Sequence, residues 1–593
     1  MHLHTRAQSS TYVVLLRLHD FCKRKTMVGN IFADDFGSII FTLLVAILLS
    51  VLIFTARKVY KQNKEWEEKK RWWKEGVIYH IYPRSFQDST GDGNGDLQGI
   101  TKRLDYFEFL GIKILYLSPI FRSPMVDNGY DISDFKDIDP MFGNLEDFAE
   151  LLKEAHLRGM KLILDFVPNH TSDQHPWFIE SRSSKANPKR DWYVWLDPAL
   201  GGGPPNNWVS VFGGSAWTYD AKTNQYYLNQ FCPEQPDLNL RNAEVRDALN
   251  DVLTFWLDRG VDGFRADAVA HLVEDSRFQD EPTKDGYDPK RPRYNDLDHV
   301  YTKNFTANHK IVQGWRAVLD QYKDSYRILI GEILDDNFQE VVKYYGGRFS
   351  NEFDFPFNFG LLGLSQTTNA EEVYHVISDY LAALPKGKWP NWLLGNHDFP
   401  RIGSKVSHEY CHALNVLLLT LPGTAVTYYG EEIGMIDAKV PFKSQKDFRD
   451  PQRSPMQWCD KENAGFTSAA KAWVPVAENY KTANVEVQKA DPTSALYLYK
   501  ELVNLRSTVE CFKGLSFKAV HVDASVLAYT RSDRHHTFVI MINFSKERWE
   551  GSLNGISGSG VVVIDSEMKL KGTNVSFVRV TLNKAQALVI KMQ

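Results

Sequence analysis

Cysteine is scarce in this chain: Cys22, Cys232, Cys411, Cys459 and Cys511 stand far apart in 593 residues, and none belongs to a C-x-x-C pair. That spacing excludes a disulfide scaffold and a cysteine zinc site, and leaves isolated thiols, buried as small apolar groups, as the expectation. A surplus of basic charge is missing too. With a formal net charge of -5 and a pI near 6.4 the chain has no electrostatic footprint for nucleic acid, which is set aside as a partner. Internal repeats and low-complexity tracts are absent. A content of 43% hydrophobic and 24% charged residues excludes a disordered polymer, and the length exceeds one hydrophobic core, so two or three packed units are expected.

Long apolar runs are also rare, with one exception. Residues 36–56 carry no charge, and at about 1.5 Å per residue they are long enough to cross a bilayer core of about 30 Å as one helix. A cleaved signal peptide would have a shorter apolar core followed by a small-residue cleavage site. Here Arg57-Lys58-Val-Tyr-Lys61 follows directly, which points to a retained signal anchor. Residues 1–35 then form a short tail and the charged, helical 57–74 a stalk. Taken alone, the positive-inside rule leaves the large domain cytoplasmic, because Lys23, Arg24 and Lys25 precede the run while Arg57, Lys58, Lys61, Lys64, Lys69, Lys70 and Arg71 follow it. Sequons at Asn304, Asn543 and Asn574 permit glycosylation without settling the orientation.

From Gly76 short β-branched or aromatic runs alternate with stretches of helical period, the pattern of βα units on a parallel sheet. Residues 77–82 read as the first strand. Leu97, Ile100, Leu104, Phe107 and Leu110, spaced by three and four and closed by Gly111, read as one amphipathic helix, and 112–117 as the next strand. Helix 145–158, a stop at Gly159 and strand 161–167 repeat the unit. Further strand-like runs at 261–267, 328–332, 352–358, 390–396 and 424–429 bring the total to eight, the number of a closed (β/α)8 TIM barrel of the α/β class. The barrel is expected over 75–513, with the unpatterned, Trp-, Asn-, Pro- and Gly-rich stretch at about 171–241 as an inserted subdomain B on a βα loop. Residues 514–593 change to short alternating strands, a C-terminal all-β domain.

Three of the apolar runs end in an acidic residue: Gly263-Phe-Arg-Ala-Asp267, Ile328-Leu-Ile-Gly-Glu332 and Trp392-Leu-Leu-Gly-Asn-His-Asp398. The C-terminal ends of barrel strands are where such a fold keeps its chemistry. A retaining glycosidase needs one carboxylate as nucleophile and a second carboxyl as general acid and then base, which Asp267 and Glu332 on neighbouring strand ends can supply. Arg265, two residues before Asp267 and on the same side of its strand, is expected to keep Asp267 ionised. In Asp88-Ser-Thr-Gly-Asp-Gly-Asn-Gly-Asp96, oxygen side chains alternate with glycines, a pattern suited to wrapping a hard cation, though the distal glutamate of an EF-hand is missing.

These residues resemble the α-amylase superfamily, glycoside hydrolase family 13. Leu164-Asp-Phe-Val-Pro-Asn-His170, Gly263–Asp267, Gly331-Glu332 and Asn396-His-Asp398 are similar to its four signature regions, and Gln235-Pro-Asp-Leu-Asn239 to its fifth. The resemblance implies Asp267 as nucleophile, Glu332 as acid/base and Asp398 as the carboxylate that holds sugar hydroxyls, with His170, His397 and Arg265 completing the pocket floor. Asp127-Asn-Gly-Tyr130 and Arg453-Ser-Pro-Met-Gln-Trp458 resemble the α-glucosidase and oligo-1,6-glucosidase (maltase) branch. That implies Asp127 and Arg453 closing over a terminal glucose with Tyr130 stacked on its face, and exo-action on short maltooligosaccharides or sucrose. Small Ala268, where α-1,6-specific members resemble one another in carrying valine, implies α-1,4 preference. The same branch implies calcium (Ca2+) at Asp88, Thr90, Asp92, Asn94 and Asp96.

The order of tail, single span, stalk and glucosidase-like domain also resembles the rBAT-type heavy chains of heteromeric amino-acid transporters, as do 352–358, 384–392 and 428–434. That resemblance implies an ancillary subunit for a multispan light chain and a single-pass type II membrane protein with its large domain extracellular or lumenal. Residues 55–80 hold no cysteine, so such a pairing would be non-covalent. Those heavy chains have lost part of the machinery around the nucleophile and the Asn-His-Asp motif, whereas Arg265, Asp267, Glu332, Asn396, His397 and Asp398 are all present here. A membrane-anchored retaining α-glucosidase is therefore the first expectation, and the transporter heavy chain the alternative.

Overall fold

A computed structural model describes residues 35–347, 350–441, 447–553 and 555–593, so all but the last residue of the expected tail lies outside the described residues. The chain divides into a unit up to Trp72 and a unit Trp73–Gln593. In the first, helix α1 (Asp35–Lys69) carries the apolar run and most of the charged stalk without a break. Leu43, Leu44, Ile47, Val51, Ile53 and Phe54 are exposed along it, and by length and composition it is able to cross a membrane. Ser50 and Thr55 return their hydroxyls to the carbonyls of Ala46 (2.8 Å) and Val51 (2.7 Å), so neither adds an unmet polar group to the apolar stretch.

In the second unit every expected run holds a strand: β1 (Val77–Ile81), β2 (Ile114–Leu117), β3 (Lys161–Phe166), β4 (Gly263–Ala266), β5 (Ile328–Gly331), β6 (Phe355–Pro356), β7 (Asn391–Leu393) and β8 (Thr424–Tyr428). They form one parallel sheet in the order β6-β5-β4-β3-β2-β1-β8-β7. Both faces of this sheet are covered, which is why the strands read as unbroken apolar runs instead of alternating ones. Helices follow the strands around the outside, among them α2 (Leu145–Leu157), α3 (Ala243–Asp258), α4 (Ala307–Leu319), α5 (Ala370–Ala383), α6 (Cys411–Thr420) and α7 (Ala495–Thr508). Asn144 with Asp147, and Asn369 with Glu372, form capping boxes that start α2 and α5. The helix expected over 97–110 is instead two, Leu97–Lys102 and Leu104–Leu110. The break is at Arg103, whose guanidinium reaches Gln87 (2.7 Å) and lies 3.9 Å over the Trp458 ring.

The ring closes by an unusual device. Strand β6 is two residues long and one of them is Pro356, which has no N–H to give, and among the described residues no ladder joins β6 to β7. Side chains bridge the gap. Asn391 donates through Nδ2 to the Pro356 carbonyl (2.7 Å) and accepts at Oδ1 from the Asn358 N–H (3.0 Å), while Asn358 Nδ2 donates to the Asn391 carbonyl (3.2 Å). Both asparagines are fully buried.

The inserted stretch folds as a small subdomain. Helix Pro176–Ser183 and a three-stranded antiparallel sheet of Trp195–Leu196, Gln225–Leu228 and Trp217–Asp220 enclose Val194, Trp208, Ala216, Trp217 and Leu228. The C-terminal part contains β9 (Lys518–Val522), β10 (Val526–Ser532), β11 (Thr537–Asn543), β12 (Trp549–Gly551), β13 (Ser559–Asp565), β14 (Asn574–Ser576), β15 (Val580–Leu582) and β16 (Ala587–Met592). Six of these make an antiparallel sheet in the order β9-β10-β11-β16-β13-β14, and β12 pairs with β15. The sheet packs on α6, whose residues Ala413–Thr420 are all buried, and Arg506 of α7 ties the same helix end through the Leu419 and Leu421 carbonyls (3.1 Å each).

Behind β8 two acids are buried side by side. Glu432 accepts from the hydroxyls of Tyr79 (2.7 Å) and Tyr106 (2.6 Å), and Glu431 accepts from the Tyr428 N–H (3.0 Å). Burial lifts the Glu431 carboxyl to about 8 from its ordinary 4.5. The folded state then keeps a proton that the unfolded chain gives up, so the stability Glu431 contributes is complete below pH 4.5 and is lost as pH rises through 8. In Glu431→Gln the melting temperature is expected to fall less than in the wild type between about pH 5 and pH 8; parallel profiles would show that Glu431 is ionised in the fold. At the seam, Asn391→Leu leaves the Pro356 carbonyl and Asn358 N–H buried without partners, an expected loss of about 2–4 kcal/mol in denaturant unfolding. An unchanged midpoint would show that the ring is held shut by other groups.

Candidate active site

A cavity of about 290 Å³ opens at the C-terminal ends of the barrel strands, and Asp127, Tyr130, His170, Asp267, Glu332, His397 and Asp398 all line it. Backbone geometry puts the two central carboxylates there. Asp267 N–H donates to the Phe166 carbonyl and Glu332 N–H to the Ala266 carbonyl (2.8 Å each), continuing the parallel ladders one residue past β4 and β5.

Arg265, on β4, lies beneath them. Its Nη1 contacts Asp267 Oδ1 at 2.6 Å and Asp165 Oδ1 at 2.9 Å, and its Nη2 lies 3.1 Å from Glu332 Oε2. One planar guanidinium thus spans Asp267 and Glu332 and ties both carboxylates to the same cation. Asp165 on β3 is fixed from its other side by the hydroxyls of Tyr116 (2.8 Å) and Tyr130 (2.9 Å). With only one guanidinium among Asp165, Asp267 and Glu332, full ionisation would leave buried negative charge in excess. Burial therefore pushes the Asp267 carboxyl above its usual range, Glu332 and Asp165 add to this, and Arg265 opposes it without prevailing.

Ala268, next to Asp267, adopts the left-handed region (φ 51°, ψ 34°). For a residue with a Cβ this conformation costs about 1–2 kcal/mol. It turns the Ala268 N–H onto Glu332 Oε2 at 2.8 Å, a second clamp on that carboxylate.

Asp398 sits in the turn after β7, where Asn396 Oδ1 accepts from the N–H groups of Asp398 (2.9 Å) and Phe399 (3.1 Å) and fixes the turn. Burial opposes its charge, but His397, Arg449, Arg453 and Arg265 outweigh burial and hold the carboxyl well below the usual range. Its Oδ1 meets Arg449 Nη1 at 3.0 Å and Arg453 Nη2 at 3.1 Å. His397 stacks on Tyr130 with 5.2 Å between centroids, and burial drives it to about 3, so the ring is neutral at ordinary pH. His170, lowered to about 4 by burial, lies with Nε2 3.2 Å from the Tyr130 carbonyl.

The arginine that closes on Asp127 is Arg449, not Arg453. Arg449 Nη2 contacts Asp127 Oδ1, its Nη1 reaches Asp398, and it lines the cavity. Arg453, four residues on, is fully buried; it donates through Nε to the His397 carbonyl (2.9 Å) and braces Asp398 from behind. Arg449 precedes and Arg453 ends one short 3-10 turn, Asp450–Arg453, and which of the two lines the cavity is not reported by spacing in a sequence. The mouth is aromatic: Phe212 of the subdomain and Phe448 lie 5.0 and 5.5 Å from the Arg449 guanidinium. Beyond it a groove of about 460 Å³ continues between Val211–Gly213 and Pro292–Asp296, sharing Val211 and Phe212 with the cavity.

The Asp88–Asp96 loop is closed by hydrogen bonds. Asp88 accepts from the N–H groups of Thr90 (2.9 Å), Gly91 (2.7 Å) and Gly93 (2.8 Å), Asp92 from Asn94 N–H (2.8 Å), and Asp96 from those of Ser89 (2.7 Å) and Gly99 (2.6 Å). Among the described residues no three acidic, histidine or cysteine side chains converge as a cation cage. As placed, these carboxylates hold the loop as a hydrogen-bonded turn. Cys232, Cys411, Cys459 and Cys511 are all free.

Comparison with known proteins follows the same lines. The profile of the α-amylase catalytic domain matches residues 80–514. The human amino acid transporter heavy chain SLC3A1 is 40% identical over 537 residues, 88% of this chain and 78% of that one. Maltase 1 of Drosophila virilis is 41% identical over 528 residues, 84% of this chain and 83% of that one. Among solved structures the alpha-glucosyl transfer enzyme XgtA superposes with a TM-score of 0.80 at 36% identity, over 88% of this chain and 99% of that one.

The Asp127–Arg449 contact joins the loop after β2 to the loop after β8 in the wall of the cavity. A cycle of Asp127→Asn, Arg449→Gln and the double variant is expected to give a coupling of about 1–3 kcal/mol in unfolding free energy. Additive effects would show that the two loops are held independently.

Proposed function

This chain belongs to the α-amylase family, and from that premise we propose that it is a membrane-anchored retaining α-glucosidase acting at the non-reducing end of short α-glucosides. The observation that carries the reading is the Asp267–Arg265–Glu332 arrangement at the floor of a cavity that also gathers Asp398, His170 and His397. The step runs from the state in which Asp267 is ionised and Glu332 protonated: the Asp267 carboxylate attacks the anomeric carbon while Glu332 gives its proton to the departing glycosidic oxygen. Glu332 then takes a proton from the water that releases the covalent glucosyl group, and the configuration is retained. Asp398, held ionised by Arg449 and Arg453, binds ring hydroxyls, and the carboxylates gathered at the floor favour the oxocarbenium-like transition state.

Exo-action is supported by the Asp127–Arg449 closure, which blocks one end of the cavity, and by the aromatic mouth, which gives the leaving group an exit. Small Ala268 in the wall favours α-1,4 substrates. The catalytic domain is taken to be lumenal or extracellular, as in a type II protein anchored by α1. A second reading, an ancillary heavy chain for a multispan amino-acid transporter, is favoured by the 40% identity to SLC3A1 together with the apolar helix, and it is compatible with retained catalysis.

The purified full chain is expected to release α-glucose from maltose and from an aryl α-glucoside, and Asp267→Ala to lower kcat by at least about four orders of magnitude with the fold intact by circular dichroism. No turnover of maltose, sucrose, isomaltose or the aryl glucoside would eliminate the glucosidase reading. Co-purification with a multispan protein that needs this chain to reach the cell surface would then establish the other.

A further inference from the structure

The sequons were not absorbed by the reaction, and the fold sorts them. Besides Asn304, Asn543 and Asn574 there is a fourth, Asn169-His-Thr171, which overlaps the strand-end motif. Asn169 is 2% exposed, and its Nδ2 meets His170 Nδ1 at 3.2 Å beside the catalytic cavity. Asn543 is fully buried, with Nδ2 committed to the Glu547 (2.8 Å) and Asn583 (2.9 Å) carbonyls. Asn304 is half-buried, and its amide is tied at both ends, Nδ2 to Asp335 Oδ2 (2.7 Å) and Oδ1 to the Tyr344 hydroxyl (3.1 Å). An oligosaccharide on any of these three nitrogens would have to displace packed protein.

Asn574 is different in every respect. It lies on β14, the edge strand of the C-terminal sheet, bonded only to β13. Alternation along that strand turns Val575 toward the domain core and leaves Asn574 and Ser576 exposed. The Asn574 amide oxygen accepts from Gln593 Nε2 (3.1 Å), while its Nδ2 donates to no described residue.

We propose that Asn574 carries an N-linked oligosaccharide. The sugar comes from a lipid-diphosphate oligosaccharide: the bond from Asn574 Nδ2 to the anomeric carbon forms, the bond from that carbon to the phosphate oxygen breaks, and the lipid diphosphate leaves as the amide loses one proton. The site rests on the lumenal or extracellular orientation given above and is independent of catalysis. A hydrated oligosaccharide there shields an unpaired strand edge, where neighbouring chains would otherwise add.

The test uses the full chain expressed in animal cells and treated with peptide N-glycosidase. The wild type is expected to drop by one mobility step; Asn574→Gln and, as a second route to the same loss, Ser576→Ala are expected to run at the deglycosylated position. Asn304→Gln is expected to keep the shift. A wild type insensitive to the enzyme, or a shift that survives in both Asn574→Gln and Ser576→Ala, overturns the proposal. Protease protection in sealed microsomes tells the causes apart: a digested domain refutes the orientation, and a protected domain without sugar refutes the site alone.

Discussion

The buried guanidinium of Arg265 is the contact on which the rest of the site depends. It is one cation among Asp165, Asp267 and Glu332, and each of those carboxylates comes from a different barrel strand or strand end. The register of three neighbouring strands is thereby recorded in one hydrogen-bonded group, since a one-residue slip would turn every side chain to the other face. Tyr116 and Tyr130 extend the same network to β2 and its loop through Asp165. The site is positioned by a barrel, but the barrel's upper end is in turn held in register by the site.

A second set of contacts gives the cavity its closed end. Arg449 and Arg453 both reach Asp398, one from the cavity wall and one from behind, so a carboxylate in a turn is as firmly placed as those on strands. The subdomain contributes Phe212 and Phe231 to the lining, while the loop after β8 contributes Phe448 and Arg449. The ends of β4 and β5 supply Asp267 and Glu332, whereas the aromatic lining and Arg449 come from the subdomain and the loop after β8. Changes in substrate can follow changes in one segment without disturbing Asp267 and Glu332.

Much of this was legible in the sequence because a parallel strand covered on both faces must be apolar throughout, and an acid at its end then stands out. The eight strands, the inserted subdomain and the C-terminal sheet follow from that contrast and from turn residues. Features set by burial did not show. Arg449 and Arg453 differ in depth, not in spacing, and Arg103 breaks a helix whose period is otherwise intact because Gln87 and Trp458, distant in sequence, claim its side chain. The role of Asn391 was not legible within the strand run 390–396, because the need it meets arises only where Pro356 comes opposite.

That asparagine seam has a consequence for how the molecule fails. The ladder is continuous from β6 round to β7 through β1, so a ring that parts between β6 and β7 keeps its other pairings. Asp267 and Glu332 would stay side by side on β4 and β5, while Asp398, carried by the turn after β7, would swing away with the opposite end of the opened sheet. Opening at this seam would separate one pair of cavity carboxylates from the third while most of the sheet stays paired. Opening of the cavity and unfolding of the sheet would be two events on one path, divided at a joint made of amide side chains.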